Sequence, residues 1–102
     1  MNKKEEQDFL KLMGSRGTID ILRYLSEHDG GYYEDFNLPF SYPTLHTRVR
    51  KLLKFDLIQR RVEKKGFKNE WYTITERGKK ILEHLHDMIL IHGDVKEPRR
   101  KQ

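Results

Sequence analysis

In the stretch Ser41-Tyr42-Pro43-Thr44-Leu45-His46-Thr47-Arg48-Val49-Arg50-Lys51-Leu52-Leu53-Lys54 every local signal points to one helix. Ser41 can cap it with its hydroxyl, and Pro43 stands in the first turn, where a missing N–H costs nothing. With Leu45 at zero on a wheel of about 100° per residue, Val49, Leu52 and Leu53 fall within roughly 50° of a common direction, which predicts a core-facing stripe. The opposite face carries Pro43, Thr44, Thr47, Arg50, Lys51 and Lys54, flanked by Tyr42, His46 and Arg48.

Working outward, residues 57–64 and 70–75 read as two strands joined through Lys65-Gly66-Phe67-Lys68-Asn69, a β-hairpin over 57–75. Thr75 caps a long last helix over 76–92 with Ile81, Leu82, Leu85, Met88, Ile89 and Ile91 as its apolar set, and Gly93 is a natural stop. Residues 94–102, with Pro98-Arg99-Arg100-Lys101, read as a basic disordered tail.

Upstream, 5–13 predicts a first helix, interrupted by Gly14-Ser15-Arg16-Gly17. A second begins at Thr18, carries Ile19, Ile21, Leu22 and Leu25, and ends at His28-Asp29-Gly30-Gly31. Tyr32-Tyr33 suits a brief strand, and residues 34–38 have room for one or two helical turns before Pro39. The order helix, helix, short strand, short helix, helix, strand, strand, helix is that of a winged helix-turn-helix. The expected class is mainly α with a small β-sheet (α+β), with N- and C-terminal dimerisation helices added to one domain over 1–93.

Composition narrows the function. Of 102 residues 36% are charged and none is cysteine, which excludes disulfides, thiolate metal sites and thiol redox switches. The N-terminus lacks an apolar leader and no window is long and apolar enough to span a membrane, so a cytoplasmic protein, nucleoid-associated when bound to DNA, is expected. His84 and His86 are two apart on a helix and face different ways, which argues against a metal site. No nucleophile–base constellation, paired buried carboxylates or phosphate loop is present, so neither catalysis nor a cofactor is expected.

The charge is uneven. Residues 1–40 carry net −3, whereas 41–68 hold nine basic groups against Asp56 and Glu63, a net of +7. Hydroxyls, an aromatic, Arg and Lys on one helix face offer base-edge hydrogen bonds and phosphate neutralisation together. Arg60, Arg61, Lys64, Lys65 and Lys68 converge on the adjoining hairpin with Phe67 at its tip, a form suited to the neighbouring groove or backbone. Double-stranded DNA is the expected partner, read by Ser41 through Arg48 and gripped by Arg50, Lys51, Lys54 and the hairpin. Phe9, Leu12 and Met13 near one end, with Leu82, Leu85, Met88, Ile89 and Ile91 near the other, exceed what so small a core can hide and predict a homodimer interface. Alternatives are a winged-helix adaptor that binds proteins, and a non-specific architectural or RNA-binding module.

Ile21-Leu22-Arg-Tyr-Leu25, Tyr33-Glu-Asp-Phe36, Ser41 before Thr44-Leu45, Arg48-Val-Arg-Lys-Leu52, Asp56-Leu57-Ile58 and Tyr72-Thr-Ile74-Thr75-Glu-Arg-Gly78 together resemble the HxlR-like branch of the MarR-type winged-helix transcription regulators. The Tyr-x-Ile-Thr-x-x-Gly run is the most specific of these, and PadR-like regulators share similar patterns. The resemblance spans about residues 13–85. It implies a dimer built from the terminal helices, with Thr44 to Lys54 in the major groove and Lys64 to Lys68 as the wing; the function expected from the basic segment is a sequence-specific transcription regulator, a repressor that occludes a promoter. Electrophile sensing through an N-terminal cysteine, frequent in HxlR-like proteins, does not carry over to a chain without cysteine.

Overall fold

The computed structural model describes residues 1–62 and 70–100, with 94–100 by backbone alone. Its elements are α1 (Lys3–Met13), α2 (Thr18–His28), a 3-10 turn (Tyr33–Asp35), α3 (Tyr42–Lys54), β1 (Ile58–Val62), β2 (Glu70–Ile74) and α4 (Glu76–Arg100). Helix α1 starts earlier than the periodicity suggests because Asn2 and Glu5 form a reciprocal cap, the Glu5 N–H donating to Asn2 Oδ1 at 2.8 Å. The buried Thr18 donates its hydroxyl to the Leu12 carbonyl at 2.6 Å, satisfying an end-of-helix acceptor of α1 at the start of α2. Asp29, rather than a glycine, takes the left-handed position after α2, with φ 56°.

The brief strand expected at Tyr32-Tyr33 contracts to a single bridge in which Gly31 and Tyr72 exchange N–H···O bonds of 2.9 Å. The chain leaves the sheet there because the Asp35 carboxylate accepts from the Tyr32 N–H at 3.0 Å and draws Tyr33–Asp35 into a 3-10 turn. Strands β1 and β2 pair antiparallel from Ile58↔Ile74 to Val62↔Glu70. The hairpin turn, with Lys64, Lys65, Phe67 and Lys68, lies outside the described residues.

Leu45, Val49 and Leu52 of α3 are buried against Ile21, Leu22 and Leu25 of α2 and Leu57 and Ile58 at the foot of the hairpin, in one core that also takes in Leu12, Phe36, Tyr72 and Leu82. Burying each such side chain is worth about 1.5–3 kcal/mol. Helix α4 does not stop at Gly93 but runs to Arg100, so the expected tail is helical as far as that residue. A Cβ at Gly93 would meet nothing within 4 Å, and this glycine lies outside the left-handed region, so nothing there forces the chain to turn.

Gly78 is the opposite case. A Cβ there would overlap the Leu57 carbonyl oxygen and come within 2.8 Å of Ile74 Cγ1. Alanine ordinarily outranks glycine in a helix by about 1 kcal/mol. At Gly93 the Gly→Ala substitution is therefore expected to stabilise by up to that amount. At Gly78 overpacking should reverse the sign, to a loss of about 2 kcal/mol in urea unfolding.

Candidate nucleic-acid interface

Because α3 spends Leu45, Val49 and Leu52 on the core, its periodicity delivers Tyr42, Pro43, His46, Thr47, Arg50, Lys51 and Lys54 to solvent, with Tyr42 60% exposed. Ser41 caps the helix, its oxygen lying 3.5 Å from the Thr44 N–H and 3.0 Å from the Thr44 hydroxyl. Thr47 donates its hydroxyl to the Pro43 carbonyl at 3.0 Å and is itself exposed. Thr47, Arg50, Lys51 and Lys54 line an open channel of about 530 Å³ along the C-terminal half. No charged side chain on this face has an acidic partner among the described residues.

Arg48 is half-buried and does something the sequence did not announce. Its Nε donates to the Arg16 carbonyl at 2.8 Å, bracing α3 against the α1–α2 turn. Phe40 adds a second brace just before the helix by sitting on Gly17, where a Cβ would lie 2.5 Å from Phe40 Cζ. Gly17 also has φ 87°, so the position excludes other residues twice over.

On the hairpin, the register pairs Arg60 with Tyr72 and Arg61 with Trp71. Strand alternation therefore puts the two arginines on opposite faces, and only Arg60 shares the Tyr72 side next to α3. Arg60 lies 3.7 Å from Glu70 in a half-exposed pair that contributes little stability. Arg61 Nε donates to Thr73 Oγ1 at 3.4 Å. The sequence grouped the two as equivalent; the pleat separates them.

A cleft of about 400 Å³ opens between the 3-10 turn, the start of α3 and β2, lined by Tyr32, Tyr33, Glu34, Tyr42, His46, Glu70 and Tyr72. At its centre the Tyr33 ring lies 5.6 Å from Tyr42 and 5.5 Å from Tyr72, and its hydroxyl is 3.0 Å from His46 Nδ1. The Tyr72 hydroxyl donates to Glu70 Oε1 at 3.1 Å. Burial pushes the Tyr33 phenol up from its ordinary value of 10.0. Tyr72 is pushed up by burial, by the neighbouring Tyr33 and by the Glu70 carboxylate that accepts its proton.

The apolar residues assigned to a partner divide sharply. Leu12 and Leu82, 1% and 6% exposed, are consumed by the chain's own core and have no surface to offer a second subunit. Phe9, Met13 and Leu85 are half-buried against that core, Phe9 edge-on to Phe55 at 5.4 Å. Met88, Ile89 and Ile91 are exposed, and so are Leu10 and Leu90, which the sequence reading left out. Among the described residues no cluster of His, Asp and Glu could hold a metal ion, and no helix is long and apolar enough to cross a membrane.

No family model and no curated protein matches the chain. Solved structures do. A candidate transcriptional regulator of the MarR family from Enterococcus faecalis V583 superposes with a TM-score of 0.81 at 14% identity, over 100% of this chain and 96% of that one. The reduced form of the transcriptional regulator YodB from B. subtilis gives 0.72 at 22% identity, over 88% and 89%. A single-residue mutant of MepR from S. aureus gives 0.75 at 22%, over 95% and 74%. The fold is a winged helix-turn-helix. The likeness holds at the level of the winged-helix fold, while the MarR-type, HxlR-like and PadR-like patterns rest on the sequence motifs alone.

In winged-helix terms α2 and α3 form the helix-turn-helix and β1–β2 is the stem of the wing. Tyr33 is the residue of this surface that sequence reasoning missed; its only signal was the aromatic pair Tyr33 and Phe36 around two acids. The raised phenols have a pH signature. Stability that depends on keeping them neutral is complete below pH about 10 and falls as pH climbs through the folded values, because the unfolded chain then releases protons the folded one retains. The urea midpoint should drop above that pH, and Tyr72→Phe should flatten the drop.

Proposed function

We propose that this chain is a sequence-specific regulator of transcription that binds double-stranded DNA as a homodimer and represses by occluding its site, as a cytoplasmic protein. The observation that carries the reading is the outward face of α3: Tyr42, His46, Thr47, Arg50, Lys51 and Lys54 stand exposed with no acid paired to them among the described residues, beside Arg60 of the hairpin. Helix α3 spans 13 residues, about 20 Å, and fits a major groove roughly 12 Å wide. Its first turns, from Ser41 to Thr47, bring base-reading chemistry, and Arg50, Lys51 and Lys54 bring phosphate neutralisation. Lys64, Lys65, Phe67 and Lys68 would add backbone or minor-groove contacts from the hairpin turn. The transcriptional regulators with the same fold support this reading.

The dimer is supported by α4. Met88, Ile89, Leu90 and Ile91 stand in a row, the first 63% exposed, on a helix that has already passed its own core. A second copy of the same helix is the simplest cover, and two-fold symmetry would place two α3 helices in successive major grooves about 34–36 Å apart.

Two measurements test this. If each subunit neutralises roughly four to six phosphates, the log–log salt slope of duplex binding should lie near −7 to −11, and replacing Arg50 and Lys51 by alanine should make it shallower by about 3–4. No duplex binding at low salt would overturn the function. In sedimentation, Met88→Asp with Ile91→Asp should give a folded monomer with weakened specific binding; an unchanged dimer would place the interface elsewhere.

A further inference from the structure

One side chain on the α3 face has its hydrogen-bonding role set from outside the helix. His46 Nδ1 lies 3.0 Å from the Tyr33 hydroxyl, and the residue is exposed on the proposed groove-facing surface. A neutral imidazole has one donor and one acceptor nitrogen, and the partner of one nitrogen decides the role of the other.

Donor and acceptor strengths fix the direction of that bond. The Tyr72 hydroxyl gives its one proton to Glu70, a carboxylate that only accepts, at 3.1 Å. Among the described residues the hydrogen-bond partner of the Tyr33 hydroxyl is His46. The Tyr33 proton, which burial holds in place, has the His46 nitrogen as its acceptor. A phenol is a strong donor and a weak acceptor compared with imidazole nitrogen, so the proton sits between Tyr33 and Nδ1. The ring of Tyr33 is held by edge contact with Tyr42 at 5.6 Å and by Tyr72 at 5.5 Å, and cannot turn away without disturbing both.

We propose that Tyr33 is a positioning residue for base recognition: by donating to Nδ1 it holds His46 as the Nε2–H tautomer, a donor matched to the N7 and O6 acceptors of guanine in the major groove. This rests on the DNA-binding reading above. A tautomer with hydrogen on Nδ1 would instead present an acceptor, matched to the amino groups of adenine or cytosine, so the 3-10 turn selects which bases α3 accepts.

The first experiment needs no DNA. Nitrogen chemical shifts of the His46 ring, recorded where the imidazole is neutral, should show the Nε2–H form in the native protein and a mixture of tautomers in Tyr33→Phe. A dominant Nδ1–H form in the native protein would overturn the inference even if the protein binds DNA. The second uses a site selected from a random duplex pool and reads the ratio of affinities for duplexes with and without guanine at one position of each half-site. Tyr33→Phe, which keeps the ring packing, should shrink that ratio by about three- to tenfold per half-site, the worth of one hydrogen bond. His46→Ala should do the same, and the double variant should add little more. A ratio that survives in Tyr33→Phe, or an equal loss on every sequence, would overturn the inference, the latter by assigning His46 to phosphate. Native protein that binds no duplex would instead sink the DNA-binding reading, with the tautomer measurement still standing by itself.

Discussion

The first turn of α4 approaches the Leu57 carbonyl so closely that only a glycine, Gly78, fits between them. That carbonyl accepts the Thr75 N–H at 3.1 Å, the Leu57 N–H donates to Leu52 at 3.0 Å, and the Thr75 hydroxyl donates to Asp56 at 2.7 Å while accepting from Gly78 at 2.9 Å. Within a few residues the end of α3, the start of β1, the end of β2 and the start of α4 are tied by backbone groups and the Thr75 hydroxyl. Backbone ties have little slack compared with side-chain packing, so the angle between α3, the hairpin and α4 is set here. Everything on the outward face of α3 is aimed by this junction, and in the proposed complex that is what meets the groove.

The other end of α3 is held differently. Ser41 caps it, Phe40 rests on Gly17, and Arg48 reaches the Arg16 carbonyl. These are side-chain devices on a polar surface, each worth about 1 kcal/mol. The C-terminal end is therefore the rigid one, and the end expected to go deepest into DNA is held by weaker contacts. That distribution suits a reading element, since small adjustments at Tyr42 and His46 leave the core untouched.

Much of this was legible in the sequence because its signals are local. The cap and stripe of α3, the limits of α2 and the strand alternation about Tyr72 and Ile74 match the structure closely. What failed depended on the third dimension. Periodicity says that Leu12 and Leu82 face something apolar but not whose, and both proved to face their own core. Glycine says that a side chain is absent but not why: Gly78 is a steric necessity, while Gly93 is an ordinary helical residue that stops nothing. Arg60 and Arg61 are adjacent in sequence and opposite in space. Tyr33 belongs to no pattern, since its role arises from the 3-10 turn that brings it to His46 from 13 positions away.

Helix α4 connects these points to the oligomeric state. Its last fully buried residue is Leu82, and His86, which accepts from Arg23 at 3.0 Å, tethers it once more to α2. Beyond His86 the described side chains, residues 87–93, are all exposed, about 10 Å of helix that carries the four consecutive apolar residues from Met88 to Ile91. An exposed apolar stretch of this kind is what a partner surface would cover. In the proposed dimer that partner is its symmetry mate. Because α4 is joined rigidly to α3 at Leu57 and Gly78, the crossing of the two α4 helices would then dictate the spacing of the two α3 helices. A ligand or substitution that altered the crossing would alter the match to DNA without touching a DNA-contacting residue.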